Sequence, residues 1–162
     1  MDLILDELFA GFGDAAQMAR GVIRLLVAGL LGAVVGLQRE RTGKAAGLRT
    51  HMLVSAGAAI FVLAPLQSGM GDDALSRVIQ GLTTGIGFIG GGAILKLSHQ
   101  QQVQGLTTAA GIWMTAGVGV AAGLGRHGTA LAGALLTWVI LAIEGWMVAR
   151  EPAAGGPDGA DT

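Results

Sequence analysis

Residues 81–125 read GLTTGIGFIGGGAILKLSHQQQVQGLTTAAGIWMTAGVGVAAGLG, and their glycine content decides the fold. Twelve of these 45 residues are glycine, most of the rest are apolar, and the single lysine is Lys96. An interior glycine costs about 1 kcal/mol against alanine in a water-exposed helix, so a soluble helix would not survive this density. In a bilayer the same glycines let helix backbones approach closely. Two apolar runs, 81–95 and 105–125, flank a polar elbow at Ser98 to Gln102. The pattern predicts two transmembrane helices packed hard against their neighbours.

The whole chain agrees. Its 162 residues are 52% hydrophobic and 13% charged, about half the charged share of a typical soluble domain, and mean hydropathy is +0.62. A formal charge of −1 gives no pointer to nucleic acid. There are no cysteines, which excludes disulfides, thiolate metal sites and a cysteine nucleophile. Asp2, Asp6 and Glu7 stand where a secretory signal would carry positive charge. The expected class is an all-α integral membrane protein whose first partner is the lipid bilayer.

Five apolar runs are predicted as spans, at about 20–37, 48–66, 75–97, 103–124 and 129–149, each long enough to cross roughly 30 Å of hydrocarbon. Residues 1–19 suit an interfacial amphipathic segment or a frayed terminus, and the tail 150–162, REPAAGGPDGADT, is expected to be disordered. Alternating spans put Arg39, Arg41, Lys44, Arg49, Lys96 and Arg150 on one side, and Arg20, Arg24, Arg77 and Arg126 on the other. The positive-inside bias then places the N-terminus outside and the C-terminus in the cytoplasm.

Several motifs compete for function. Gly85-Ile86-Gly87-Phe88-Ile89-Gly90 matches the dinucleotide fingerprint by letter, but it lies inside an apolar span with no acid before Glu144. Packing explains it better. Gly32 and Gly36, Gly87 and Gly91, and the ladder Gly111, Thr115, Gly119 and Gly123 are expected helix-packing faces; a glycine-lined crevice exposing carbonyls to an ion is the alternative. Gly47-Leu48-Arg49-Thr50, Gly81-Leu82-Thr83-Thr84 and Gly105-Leu106-Thr107-Thr108 begin alike, which is either an inverted repeat of the transporter kind or chance in a Gly-Leu-Thr-rich chain.

The candidate functional cluster is polar and cytoplasmic: Arg39, Glu40, Arg49, Thr50, Lys96 and Glu144, with Glu144 paired to Arg49 or Arg39. Ionisable residues at membrane depth are usually partnered, whereas charges at helix ends also snorkel to headgroups without further function. His51 reads as an interfacial polar residue. His51, His99 and His127 lack metal-ligand spacing, and no catalytic, metal or cofactor site is predicted.

Taken in order, Leu37-Gln38-Arg39-Glu40, Ala46-Gly47-Leu48-Arg49-Thr50, Gly85 to Gly92, Val103-Gln104-Gly105-Leu106-Thr107-Thr108-Ala109-Ala110, Trp113, Ala116 to Gly119 and Gly123-Leu124-Gly125 resemble the MgtC/SapB family. The resemblance covers roughly residues 29–125. It implies a bacterial inner-membrane protein of about five helices, linked to growth in low magnesium and survival inside host cells. It also implies action through other membrane proteins, the ATP synthase among them. The chain stops soon after the fifth span, and Thr107 stands where MgtC-like proteins often carry Asn; both favour the shorter, SapB-like form. The expected function is non-enzymatic modulation of other membrane proteins or of ion homeostasis, with self-association possible in so small a bundle. The alternative is a small ion or solute transporter or channel with its site between helices 2 and 4.

Overall fold

Residues 1, 3–4, 15–95 and 105–148 are described by a computed structural model of the chain. Five long helices follow one another: α1 (Ala15–Arg41), α2 (Leu48–Gln67), α3 (Asp72–Leu95), α4 (Leu106–Gly123) and α5 (His127–Val148). No strand occurs among the described residues. The chain is an all-α membrane bundle. By length and composition α1, α2 and α4 are long and apolar enough to cross a bilayer, and α5 contributes a shorter apolar stretch, His127–Ile143.

Short connections turn the chain tightly. Gly43, Gly69 and Gly125 have φ of +68°, +69° and +76°, the left-handed conformation that ends helices at little cost only for glycine. At the last of these, Arg126 N donates to Ala121 O at 2.9 Å and Gly125 N to Ala122 O at 2.9 Å, so these carbonyls at the end of α4 are satisfied. Asp72 and Asp73 occupy the first turn of α3, where negative charge complements the helix dipole.

Close approaches fix the directions. A Cβ at Gly36 would lie 2.7 Å from Leu48 Cα, one at Gly32 would lie 2.9 Å from Ser55 Cβ, and one at Gly21 would lie 3.0 Å from Gln67 Nε2, so α1 and α2 are antiparallel. Gly111 faces His51, Gly119 faces Ser55 and Ala58, and Gly123 faces Ala59, so α2 and α4 run parallel. The interior they enclose with α5 is built from small side chains: Ala28, Val35, Ala59, Val118, Ala122, Ala130, Ala134 and Leu141. Such a core brings backbones together, the means by which membrane helices associate without a hydrophobic driving force.

α3 stands apart. It packs mainly on α4 and less on α2. Within 72–94 Gly90 alone is buried, and a Cβ added there would lie 3.6 Å from Ala109 Cβ. Gly87 and Gly91, expected to form a packing face, face away from the other described helices: nothing lies within 4 Å of a Cβ added at either. Glycines 81, 85 and 92 share one side of the helix and 87, 90 and 91 another, and the face turned to α4 is the one bearing Gly90. The repeat also divides. Gly47 and Gly105 each precede the first residue of a helix, while Gly81 lies inside α3. The matching phrases are therefore two helix starts and one helix interior.

Candidate functional site: a sealed polar layer

One face of α1 carries Gly21, Ala28, Gly32, Val35, Gly36 and Arg39 into the bundle. Because these positions repeat at three- and four-residue steps they share one stripe, and Arg39 ends it with only 2% of its surface exposed. A buried guanidinium needs partners. Arg39 Nη2 donates to Thr108 Oγ1 at 2.8 Å, joining the end of α1 to the first turn of α4. His51 and Ser55, one turn apart on the buried face of α2, are fully enclosed, His51 against Gly36 and Ser55 against Gly32 of α1. Among the described residues, both ring nitrogens of His51 and the Ser55 hydroxyl lack a hydrogen-bond partner. Thr115, also fully buried, turns its hydroxyl back to Gly111 O at 2.8 Å.

The layer exists because glycines make room for it. A Cβ at Gly32 would meet the His51 carbonyl oxygen at 2.5 Å, and one at Gly36 would meet His51 Cβ at 3.0 Å. A Cβ at Gly119 would overlap the Ser55 carbonyl oxygen. The three helices thus clamp His51 and Ser55 between backbones, with the Arg39 charge alongside.

The predicted cluster separates into distinct roles. Glu40 is exposed, and its Oε2 accepts from Leu48 N at 2.8 Å; it caps α2, whose own N-cap, Gly47, offers no side chain. A Cβ at Gly47 would lie 2.8 Å from that same oxygen, so the glycine admits the carboxylate. Arg49 and Thr50 stay out of the buried layer, the former exposed and the latter half-buried at the start of α2. Lys96 and the Glu144 side chain lie outside the described residues, so the expected Glu144 pair does too. Among the described members of the set Arg39 is the one that enters the interior, where it bonds Thr108. Sequence reasoning sets His51 at the interface, yet the steps His51, Ser55, Ala58, Val62 are the buried stripe of α2, and that spacing is the available signal.

A second feature lies between α2, α3 and α4, a lateral groove of about 540 Å³ lined by Leu53, Gly57 and Phe61 of α2, Gly85 and Ile86 of α3, and Ala116 of α4. It presents hydrocarbon and glycine backbone rather than charge.

A compact helical membrane bundle, held by glycine contacts and locked at one end by a buried arginine, is the class that fold and site define. The sequence profile of the MgtC family matches residues 25–150. SrpB of Synechococcus elongatus is 46% identical over 130 residues, covering 73% of this chain and 71% of SrpB. MgtC of Salmonella typhimurium is 41% identical over 115 residues, covering 71% and 48%. YhiD of Escherichia coli, described as a candidate magnesium transporter, is 38% identical over 133 residues, covering 77% and 60%. The chain belongs to the MgtC family. It spans about half the length of the Salmonella relative. No solved structure matches it.

Proposed function

We propose that this chain is a non-enzymatic protein of the bacterial inner membrane that modulates other membrane proteins, and through them magnesium-linked ion homeostasis, by helix–helix contact through α3. The observation that carries the reading is the exposure of α3: Phe88 is 86% exposed, beside Gly87 and Gly91, four residues apart, which face open space. An outward row of small residues next to a large apolar side chain suits close docking of a foreign membrane helix. The partner is another membrane protein; the ATP synthase is suggested by family resemblance alone, and a second copy of the chain is the competing occupant.

Transport is the second reading, favoured by the description of the Escherichia coli relative. Against it stand the apolar lining of the groove between α2, α3 and α4 and the positive charge of Arg39 within the buried layer. The topology follows from charge: Arg39, Arg41, Lys44 and Arg49 crowd around the α1–α2 connection, which favours the cytoplasm for that end and the outside for the N-terminus.

The test is paired. In cells lacking their own copy, Gly87→Leu and Gly91→Leu variants accumulate in the membrane like wild type and fail to support growth in low magnesium, while the purified wild-type chain in proteoliposomes moves no magnesium. Magnesium flux through the purified chain would overturn the reading in favour of transport.

A further inference from the structure

At the end of the bundle opposite Arg39, a crevice of about 300 Å³ opens between α1 and α2, lined by Gln17, Arg20, Gly21, Arg24, Leu63 and Gln67. Two guanidinium groups and two carboxamides face it, and no carboxylate among the described residues lines it. The acids at the start of α3, Asp72 and Asp73, stand outside it.

The arginines are presented rather than consumed. Arg24 Nη1 donates to Gly123 O at 3.0 Å, a carbonyl at the C-terminal end of α4, where the helix dipole is negative. The guanidinium rests on Gly125, whose added Cβ would lie 2.8 Å from Arg24 Nη2. One contact uses one of the five N–H donors of an arginine, so Arg24 is held in place with donors to spare. Arg20, one turn earlier, is exposed. Gly21 lets the Gln67 amide lie against α1, since a Cβ there would be 3.0 Å from Gln67 Nε2.

The depth of the crevice adds a second constraint. Arg20 and Arg39 are separated along α1 by about 28 Å at 1.5 Å per residue, close to the roughly 30 Å of bilayer hydrocarbon. With Arg39 at one boundary, Arg20 stands at the headgroup level of the other leaflet and Arg24 one turn inside it.

We propose that this crevice binds a phosphate group carrying net negative charge, supplied by an anionic lipid headgroup or by free phosphate. The planar guanidinium fork matches phosphate oxygens in a bidentate manner, basic pockets between membrane helices suit such headgroups, and Leu63 provides an apolar wall for an adjoining chain.

The experiment follows thermal unfolding of the full chain in a neutral detergent during titration with dioctanoyl phosphatidylglycerol, dioctanoyl phosphatidylcholine and inorganic phosphate. Phosphatidylglycerol raises the unfolding temperature saturably, and phosphatidylcholine does not. Arg20→Gln with Arg24→Gln weakens the response about tenfold or more, as loss of charge-assisted hydrogen bonds predicts, while Arg77→Gln leaves it unchanged. Because Arg24 also braces α4, Arg20→Gln alone serves as the variant whose fold is not at stake, and it weakens the response severalfold. A response to inorganic phosphate assigns the site to the free anion; a response to phosphatidylglycerol alone assigns it to lipid. Equal responses to both lipids, or an unaltered response in Arg20→Gln, would overturn the proposal.

Discussion

Arg39 is the residue on which the buried layer turns, because a guanidinium removed from water must recover what hydration supplied. Thr108 Oγ1 accepts one of its hydrogen bonds. Thr108→Val keeps the shape and deletes that acceptor, so it lowers stability by about 1–3 kcal/mol, read as a fall in unfolding temperature in detergent. Ser55 is the matched contrast. Its hydroxyl is buried without a partner among the described residues, so Ser55→Ala removes an unsatisfied group and leaves the unfolding temperature unchanged or raised. A larger loss from Ser55→Ala than from Thr108→Val would contradict this account of the layer. At this scale Arg39 is legible in the sequence as an ionisable residue at a helix end, but its bond to Thr108 is not. Thr108 stands 69 residues away in sequence, and the threonine-rich phrase around it gives no reason to prefer it over Thr84, which is exposed and bonds its own helix at Gln80 O. Glu40 reads in the sequence as a cluster member; that it caps the next helix depends on Gly47 lacking a side chain and on a turn geometry that composition does not encode.

Among the elements, α4 is the most readable. The Gly111, Thr115, Gly119, Gly123 stripe follows from four-residue spacing alone, and all four residues are buried. α3 is the least readable, because its glycines fall on two different sides of the axis and spacing alone does not say which meets α4. The two helices therefore respond oppositely to the same substitution. Gly119→Ala drives a methyl into the Ser55 carbonyl and separates α2 from α4, an overpacking cost of about 1–3 kcal/mol or more. Gly87→Ala adds a methyl to open space and improves helix propensity by up to about 1 kcal/mol. Unfolding of the two variants in one detergent checks the sign: a fall for the first, no fall for the second. A comparable fall for both would place α3 in contacts that the bundle does not show.

For the whole molecule, α1, α2, α4 and α5 close around a core of alanine and valine, and α3 is appended to its flank. Hydropathy and glycine content reveal that such a chain forms a helical membrane bundle, since both follow from the demands of lipid on the backbone. Neither reveals which helix is peripheral, because every helix is apolar toward lipid as well as toward its neighbours. Orientation belongs to this scale too. The chain has no cysteine of its own, so single replacements report without background. Met70→Cys, in the exposed α2–α3 connection, reacts with a membrane-impermeant maleimide in intact spheroplasts, and Thr42→Cys, beside Gly43, reacts only after the membrane is broken; the reverse pattern would invert the topology.

The proposed mode of action rests on α3 meeting another protein within the bilayer, and a photo-crosslinking residue placed at Gly87 in native membranes tests it most directly. The account predicts a discrete adduct with a different membrane protein, absent when the crosslinker sits at Leu136 on the exposed side of α5 and lost when Gly91→Leu is added to the Gly87 probe. Adducts with lipid alone, or with a second copy of the chain alone, would contradict it.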